Sequence, residues 1–269
     1  MELLRVTYRL DGVAASDAEA RAEAIAREQT VEVPRAVVDR EPGIAENVVG
    51  RVESVSGEEG GSRVRIGYPV ATTAHDPAQL LNVVFGMTSL QADVRCVDIE
   101  LPPSLRVALR GPRFGIAGLR EAMGAADRPL TATAVKPMGH DPKALADLMT
   151  TFAQAGVDLV KDDQGLADHA FCPFEDRVRA CLEAVRRVAD TTGHETLYAP
   201  NLIGTPAKVL DQLHVAEDLG ARAVMVSPML IGLPFFWELC HQRASVPVLA
   251  HPSFGGAQRF TTDLLFGGL

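Results

Sequence analysis

The sequence predicts an α+β domain followed by an α/β domain with a parallel sheet, and three features of the chain support this fold class. The first part orders its elements as strand, helix, hairpin, helix and strand, which is typical of a small antiparallel sheet with helices on one face. After Pro129, short apolar strands alternate with helices, which is typical of a parallel sheet covered by helices. Prolines and glycines interrupt both patterns over residues 105–129, so we divide the chain into domains at residues 1–125 and 126–269.

Local patterns define each element of the first domain. Residues 3–10 alternate apolar and polar side chains, as a half-buried strand does. Residues 16–27 are rich in alanine and glutamate, and Ser16 is a candidate N-cap, so this segment is predicted to be a helix. Two alternating runs flank a glycine-rich turn and predict a hairpin. The remaining predicted elements are the hairpin strands 47–55 and 62–70, the helix 77–90 and the strand 94–101.

The second domain repeats a strand–helix unit. We count five strands, which start at residues 130, 157, 197, 223 and 246. The repeat length suits a (β/α)8 barrel, but about three of the eight units of such a barrel are missing. The sequence is therefore either a fragment or a native chain that has been shortened. The predicted strands are 130–135, 157–161, 197–202, 223–226 and 246–250, and the predicted helices are 142–155, 174–189, 206–219 and 234–243.

Composition excludes several classes of function. The formal net charge of −9 and the lack of a basic stripe argue against a nucleic-acid partner, although a local field can still bind a small anionic substrate. The four cysteines form no CxxC pair, which indicates a reducing compartment. The N-terminal residues do not resemble a signal peptide, and no stretch approaches the ~18–20 apolar residues of a membrane span. We therefore expect a cytoplasmic protein with no membrane or nucleic-acid partner.

A charged cluster at the end of the second barrel strand is the leading candidate site. A short apolar run ends in Lys161, Asp162 and Asp163, and Gly165 then turns the chain. Such charges are costly inside a strand, whereas the carboxyl end of a parallel strand faces an open crevice. The two-residue period places Lys161 and Asp163 on one side and Asp162 on the other. This arrangement suits a divalent cation if the lysine becomes anionic; the alternative is a surface strand end with a salt-bridged lysine.

Three further polar residues follow predicted strands of the second domain. Lys136 follows the first strand, Asn201 the third and His251 the fifth. Each alone has an ordinary structural explanation, such as a solvated loop lysine or a capping histidine. Because the carboxyl ends of successive parallel strands converge on one mouth, the four strand ends together predict an active site.

These motifs resemble those of the RuBisCO large-subunit superfamily. Lys136-Pro137 is similar to the Lys-Pro-Lys motif of that family, and residues 156–163 resemble the segment that leads into its Lys-Asp-Asp-Glu motif. Val84-Phe85-Gly86 and the region around Glu28 resemble the N-terminal domain of the family, with less specific motifs. The resemblance extends over nearly the whole chain.

The resemblance implies a ferredoxin-like N-terminal domain followed by a TIM-type (β/α)8 barrel, here ending after about five βα units. In the family, the lysine that matches Lys161 is carbamylated by CO2. It binds Mg2+ together with two acidic residues, whose positions here are Asp163 and Gln164. Glu28 matches a glutamate that reaches the active site of the neighbouring subunit, so the resemblance also implies a homodimer with shared active sites.

The chain departs from the carboxylases of this family at several positions. Gln164 replaces a metal-binding glutamate, and its amide oxygen offers a cation less charge. Met138 replaces the second lysine of Lys-Pro-Lys, Pro252 replaces a phosphate-binding arginine, and Gly255 replaces a histidine. The sequence also stops before the mobile loop with its catalytic lysine and the later phosphate-binding loops. These differences count against CO2 fixation and resemble the non-carboxylating branch, the form IV RuBisCO-like proteins.

The resemblance therefore predicts a Mg2+-dependent enolase or isomerase that acts on a small phosphorylated ketose or sugar acid through an enediolate. Lys136, with a pKa lowered by burial beside the metal, would move protons, and His251 would be a second proton carrier or a substrate hydrogen-bonding group. Lys161 belongs to the catalytic set as well as to the metal site. Asn201 and Glu28 are predicted to bind substrate.

Two alternatives remain open from the sequence. The first is a decarboxylase of a 3-oxo sugar-acid phosphate, a reaction that needs only a stabilised carbanion and one acid. The second is a non-catalytic remnant with a structural or regulatory role, which Gln164 and the short carboxyl-terminal part favour.

Overall fold

Residues 1–125 and 127–257 are described in the computed structural model of this protein. The chain divides into two compact units, Met1–Gly111 and Pro112–Gly255. The division falls inside the predicted connecting stretch and before the predicted boundary at residue 125, because the helix Gly115–Ala122 belongs to the second unit. None of the helices in the described part of the chain has the length and apolar character needed to cross a membrane.

The first unit is built on a four-stranded antiparallel sheet with the strand order β2-β3-β1-β4. Its order of strands and main helices is the βαββαβ order of the ferredoxin-like fold, as predicted. In chain order the elements are β1 (Leu3–Asp11), α1 (Ala15–Glu28), α2 (Arg35–Val38), α3 (Pro42–Asn47), β2 (Arg51–Glu58), β3 (Gly61–Pro69), a 3-10 helix (Val70–Thr73), α4 (Pro77–Phe85), a 3-10 helix (Met87–Leu90), β4 (Val94–Glu100) and α5 (Pro103–Leu109).

The core of the first unit follows from the alternating pattern of β1. Its buried side chains are Leu4, Val6, Tyr8 and Leu10. Helix α1 lies against β2 and β3 and buries a stripe that includes Ala22 and Ile25. The prediction that Ser16 caps this helix is wrong: the helix starts one residue earlier, and no side chain caps it.

Two further predicted bounds in the first unit are wrong. The strand predicted to begin at Asn47 begins at Arg51, because Pro42 starts the short helix α3, which extends through Asn47. The helix predicted over residues 77–90 ends at Phe85, since Gly86 leaves the helical conformation and a 3-10 turn follows.

The second unit alternates short strands with helices. Its elements are α6 (Gly115–Ala122), β5 (Ala132–Ala134), α7 (Pro142–Gln154), β6 (Leu159–Lys161), α8 (Phe174–Thr192), β7 (Leu197–Ala199), α9 (Pro206–Asp218), β8 (Val224–Val226), α10 (Pro228–Ile231), α11 (Leu233–Glu238), a π-helical turn (Leu239–Arg243) and β9 (Val248–Ala250), followed by a 3-10 turn (Gly255–Ala257). Proline at the first position and an acceptor before it start two of these helices: Asp141 accepts a hydrogen bond from the Ala144 N–H at 2.8 Å, and Thr205 occupies the same place before α9.

The five strands of the second unit are parallel and lie in sequence order. Strands β5, β6 and β7 form one ladder and β8 and β9 another, and an isolated parallel bridge between Asn201 and Met225 connects the two. This is the arrangement of the first five units of a (β/α)8 barrel, so the predicted fold class is confirmed. The strands are shorter than predicted, with three residues each.

The strand register determines which residues share a face of the parallel sheet. One face packs against the helices and carries Val160, Tyr198, Val224 and Val226. The opposite face, called the inner face below, carries Leu159, Leu197, Ala199 and Ala223. Lys161 pairs with Ala134 and with Ala199, so the lysine side chain belongs to the inner face. The period of two then places the residues that directly follow the strands at the mouth of this face.

Candidate active site

The two aspartates after β6 lie on opposite sides of the strand, as the period-2 pattern predicts. Asp162 is fully buried and accepts hydrogen bonds from Arg177 Nε at 3.0 Å, the Tyr198 hydroxyl at 2.7 Å and the Asn201 backbone N–H at 3.0 Å. Burial raises the pKa of Asp162, and the Arg177 guanidinium opposes this rise. Asp162 therefore anchors the strand end to α8 and does not face the mouth of the sheet.

Asp163 lies on the inner face and is held from two sides. Its Oδ2 is 2.5 Å from Lys136 Nζ, and its Oδ1 accepts a hydrogen bond from the Gly165 N–H at 2.8 Å. Burial alone would raise the pKa of this carboxyl, but these two donors and the charge of Lys161 outweigh it, and the pKa is lowered. Asp163 is therefore a carboxylate at neutral pH. The expectation that Lys136 is buried is wrong, because its side chain is 62% exposed.

Lys161 is half-buried at the end of β6. Its Nζ donates a hydrogen bond to the Asp162 carbonyl oxygen at 3.2 Å. Burial lowers the pKa of Lys161, and the neighbouring charge of Lys136 lowers it further, against the opposing effect of Asp163. A larger fraction of this lysine is therefore an unprotonated amine, which is the nucleophilic form, than in a solvated lysine.

His251 follows β9 and belongs to the same charged group. Its Nδ1 accepts a hydrogen bond from the Ser253 N–H at 3.1 Å, so the neutral ring carries its proton on Nε2. Burial lowers the pKa of His251, and the charges of Lys161 and Lys136 act in the same direction, whereas Asp163 opposes them. The imidazole is therefore neutral at physiological pH and offers a substrate an Nε2–H donor.

Asn201 holds the loop that carries Gln164. Its Nδ2 donates to the carbonyl oxygens of Gln164 at 3.1 Å and Leu166 at 3.0 Å, and the residue is only 1% exposed. His169 binds the Gly165 carbonyl oxygen in the same loop. Asn201 was predicted to bind substrate, but its amide nitrogen is already occupied by the protein. Its Oδ1 is buried and has no hydrogen-bond partner within the protein.

Glu28 belongs to the first unit, whereas all the other predicted site residues belong to the second. It is the last residue of α1. The next residue, Gln29, is buried and bonds to the carbonyl oxygens of Asn82 and Val83 and to the Thr88 N–H. The position of Glu28 within its own unit is therefore fixed by its neighbour.

Sequence reasoning missed two residues of the second unit. Ser227 follows β8, and its buried hydroxyl has no hydrogen-bond partner. The signal was present in Val226-Ser227-Pro228, where the fourth predicted strand ends in a polar residue. Arg177 is fully buried on α8, and its charge on the apolar side of an amphipathic helix was the available signal.

Each of the five strands thus supplies one polar residue to the mouth of the inner face. In strand order these residues are Lys136, Asp163, Asn201, Ser227 and His251, with Lys161 directly beneath Asp163 on the same strand. A carboxylate, two amino groups and a neutral imidazole in one place can polarise a carbonyl group, remove a proton next to it and return that proton elsewhere.

Comparison with known proteins shows which family this chain is similar to. The family described as "Ribulose bisphosphate carboxylase large chain, catalytic domain" matches residues 115–251. The chain is 46% identical over 272 residues to Ribulose bisphosphate carboxylase-like protein 1 of Rhodopseudomonas palustris, in an alignment that covers 100% of this chain and 73% of the relative. A crystal structure of a Rubisco-like protein from Rhodopseudomonas palustris superimposes with a TM-score of 0.91 and 43% identity, covering 99% of this chain and 74% of that chain.

Two other relatives carry names that describe a reaction. The 5-methylthioribulose-1-phosphate isomerase of Rhodospirillum rubrum is 41% identical over 269 residues, which cover 99% of this chain and 71% of the relative. The 2,3-diketo-5-methylthiopentyl-1-phosphate enolase of Geobacillus thermodenitrificans is 39% identical over 196 residues, which cover 72% of this chain and 48% of the relative.

Proposed function

Because this chain belongs to the family of the RuBisCO large chain, as one of its RuBisCO-like proteins, we propose that it is an enzyme that moves protons on a small phosphorylated ketose through an enediolate and does not fix CO2. The observation that carries this proposal is the position of Lys136, Lys161, Asp163 and His251 at the ends of parallel strands, with Lys136 Nζ 2.5 Å from Asp163 Oδ2. The substrate we propose is 5-methylthioribulose 1-phosphate, because the relative named for this substrate aligns with 99% of the chain.

The donor set fits Mg2+ on one condition. In the described part of the chain, no group of three or more His, Cys, Asp or Glu side chains could hold a metal ion. Asp163 and Gln164 would supply two oxygens, and a carbamate on Lys161 would supply an anionic third. The lowered pKa of Lys161 supports this modification, since the unprotonated amine attacks CO2 and releases a proton. A bound Mg2+ would polarise the substrate carbonyl and stabilise the developing oxyanion.

We assign the remaining steps to two side chains. Lys136 Nζ lies 2.5 Å from Asp163 Oδ2 and is the group that we assign to proton transfer. Its ammonium first loses a proton to solvent, and the amine then takes the proton from the carbon next to the substrate carbonyl and returns it to the neighbouring carbon. His251, with its proton on Nε2, donates a hydrogen bond to a substrate oxygen. Isomerisation and enolisation both need this pair of groups. The enolase remains the second candidate because a relative with that name aligns with 72% of the chain.

Proton exchange tests the proposal directly. In deuterium oxide, we expect 5-methylthioribulose 1-phosphate to incorporate deuterium at the carbon next to its carbonyl. Lys136→Met should reduce this exchange by at least ~100-fold, the contribution typical of a general base. Lys143→Met is the matched control, because Lys143 lies on the surface of α7 and pairs with Asp147. The absence of exchange in the native enzyme would contradict the proposal, and release of CO2 from a 3-oxo sugar-acid phosphate would favour the decarboxylase.

A metal titration separates the enzyme from a non-catalytic remnant. We expect Mg2+ to bind more tightly in the presence of bicarbonate, and Lys161→Met to abolish this dependence. Binding that is independent of bicarbonate would argue against a carbamate on Lys161. We also propose that the enzyme is a homodimer in which Glu28 reaches the neighbouring active site. Sedimentation of the native enzyme checks the dimer, and mixing Glu28→Gln with Lys136→Met chains should restore part of the activity if sites are shared.

A further inference from the structure

An exposed methionine lies beside the charged group at the mouth of the inner face. Met138 is 54% exposed and follows Lys136 and Pro137 in the segment after β5. A single exposed apolar side chain is common on protein surfaces and needs no functional explanation by itself. The contacts of Met138, however, place it next to a group of the proposed active site.

The segment after β5 meets the segment after β6 at two points. Lys136 Nζ is 2.5 Å from Asp163 Oδ2. Two residues further along both segments, the Met138 side chain rests against Gly165: a Cβ added to Gly165 would lie 3.6 Å from Met138 Sδ and 3.9 Å from its Cε. The same Cβ position is 3.1 Å from Asp163 Oδ1, so the thioether sulfur and this carboxylate oxygen are at most 6.7 Å apart. A ligand that contacts Asp163 can therefore also contact Met138.

The backbone on which Met138 rests is held by hydrogen bonds. The Gly165 N–H donates to Asp163 Oδ1 at 2.8 Å, and the Gly165 carbonyl oxygen accepts a hydrogen bond from His169 Nε2 at 3.0 Å. The His169 ring stacks on Phe171, with the ring centroids 4.8 Å apart and an interplanar angle of 8°. Because both polar groups of Gly165 have partners, Met138 lies on a surface that is fixed before a ligand binds.

A thioether at this position suits an apolar group of a ligand. The methionine side chain is flexible and polarisable, so it adapts to the shape of an apolar partner. The lysine that Met138 replaces would keep water around its ammonium and oppose such a partner. The substrate that we propose ends in a methylthio group, and four bonds separate its sulfur from the carbonyl carbon. A chain of that length is comparable with the separation of Asp163 from Met138.

We propose that Met138 recognises the apolar end of the substrate by packing its thioether against the methylthio group. This contact removes apolar surface of both groups from water and forms no hydrogen bond, so it favours a methylthio or alkyl tail over a hydroxyl group. The inference deepens the proposed function, on which it rests, by assigning the specificity for the methylthio group to a residue outside the charged group.

The binding of two unreactive compounds tests this assignment. 5-Methylthioribitol 1-phosphate and 5-deoxyribitol 1-phosphate lack the carbonyl group, and they differ only in the methylthio group. We expect the native enzyme to bind the methylthio compound about 10-fold more tightly in calorimetry, a preference of ~1.4 kcal/mol that is typical of a small apolar group. Met138→Ala should abolish most of this preference. It should leave the Kd of 5-deoxyribitol 1-phosphate unchanged, because that compound has no methylthio group to contact Met138.

Three further variants make the test specific. Met138→Leu should keep the preference, because an apolar side chain of similar volume remains. Met138→Lys should lose it, because the ammonium stays hydrated. Ile116→Ala is the matched control for the removal of an exposed apolar side chain, since Ile116 is 78% exposed on α6, and it should keep the preference.

Several results would overturn the inference. The native enzyme could bind the two compounds equally or bind neither of them, or Met138→Ala could keep the native preference. Met138→Ala could also weaken the binding of both compounds by the same factor, which would show that Met138 only supports the loop around Gly165 and contacts no ligand.

The outcome for Met138 is separable from the outcome for the proposed function, because neither compound reacts. A protein that exchanges no protons, but whose preference for the methylthio compound depends on Met138, keeps the assignment and loses the proposed reaction. An active enzyme whose preference survives Met138→Ala keeps the reaction and loses only the assignment.

Discussion

Adjacent aspartates at the end of β6 perform different tasks because they face different surroundings. Asp162 meets a guanidinium, a phenol and a backbone N–H in the core, whereas Asp163 meets Lys136 at an open mouth. A buried charge is tolerated only when it is paired and hydrogen-bonded, and Arg177 provides that pairing. Arg177 and Asp162 therefore fix the end of the strand that is followed by Asp163.

Arg177 is the residue on which this arrangement depends. Its Nε bonds to Asp162, and its Nη1 donates to the carbonyl oxygens of Ala167 and Cys172. We expect Arg177→Met to lower the free energy of unfolding by about 3–5 kcal/mol, because Asp162 would remain as an unpaired buried charge. Urea unfolding measures the loss.

Two companion variants make the Arg177 prediction specific. The double variant Arg177→Met/Asp162→Asn should recover most of the loss, since the unpaired charge is then absent. Arg179→Ala, which removes an exposed ion pair with Glu175 one turn away, should cost less than about 0.5 kcal/mol. A double variant as unstable as Arg177→Met would contradict the explanation based on charge.

The imidazole of His251 should titrate below the usual histidine pKa of about 6.5. Burial and the positive charge of Lys161 both disfavour the imidazolium. As the pH falls through the usual value, the unfolded chain binds this proton before the folded chain does, so the contribution of His251 to stability declines toward acid. NMR titration of the ring measures the midpoint. Lys161→Met should raise it, Lys143→Met should not, and a native midpoint above 6.5 would contradict the prediction.

At the scale of elements, the conformation of the loop between β6 and α8 is fixed by hydrogen bonds from the surrounding protein. Asn201, His169 and Arg177 together hold four of its carbonyl oxygens, those of Gln164, Gly165, Leu166 and Ala167. Groups that are fixed in advance lose little entropy on binding. The same principle holds in the first unit, where Gln29 connects the end of α1 to the last turn of α4 and to Thr88 in the segment after it.

Gln29 offers a test of such a connection. We expect Gln29→Leu to destabilise the first unit by about 2 kcal/mol, because a buried side chain that makes three hydrogen bonds is replaced by one that makes none. Hydrogen exchange at the Thr88 amide, which bonds to Gln29 Oε1, should accelerate. Glu19→Gln on the exposed side of α1 serves as the control. Unchanged exchange at Thr88 would show that the segment is held by other contacts.

At the scale of the whole molecule, each unit has its own core, and the charged side chains are distributed differently in the two units. The exposed face of the first sheet interleaves opposite charges, with Arg5 and Arg65 paired to Glu53 and Glu100 across the strands. Exposed pairs of this kind contribute little stability each, and they keep a sheet face polar. In the second unit the charges of Lys136, Lys161 and Asp163 lie together at the mouth of the inner face.

The segment between the units should be the first site of proteolysis. Arg110 and Gly111 are exposed, and Arg110 adopts a positive φ of 53° just after α5 ends. Such segments are preferred sites of nicking. We expect brief trypsin treatment to cut after Arg110 and release a fragment of residues 1–110, identified by mass spectrometry. Arg110→Gln should remove this cut, and a first cut within a strand or a long helix would contradict the division into units.

The sequence predicted the strand–helix order well because alternation and apolar runs are local properties. It failed at element ends, where a single proline or glycine outweighs the surrounding pattern, and for burial, which a neighbour in space decides. Met87–Leu90 leaves the helix after Gly86, and Pro42–Asn47 is helical although the residues that follow alternate like a strand. Lys136 was expected to be buried, but it reaches Asp163 from the surface.

The sequence by itself determined that four of the five apolar strands end in polar residues that are candidates for a site, because side-chain type and spacing are properties of the local sequence. Only the tertiary structure decided which polar groups near these strand ends already have hydrogen-bond partners within the protein. Asp162 is paired with Arg177, and the amide nitrogen of Asn201 donates its hydrogen bonds to the loop between β6 and α8. The buried hydroxyl of Ser227 has no hydrogen-bond partner. Hydrogen bonds and burial depend on what lies nearby in space, and distances in space are not encoded in local pattern.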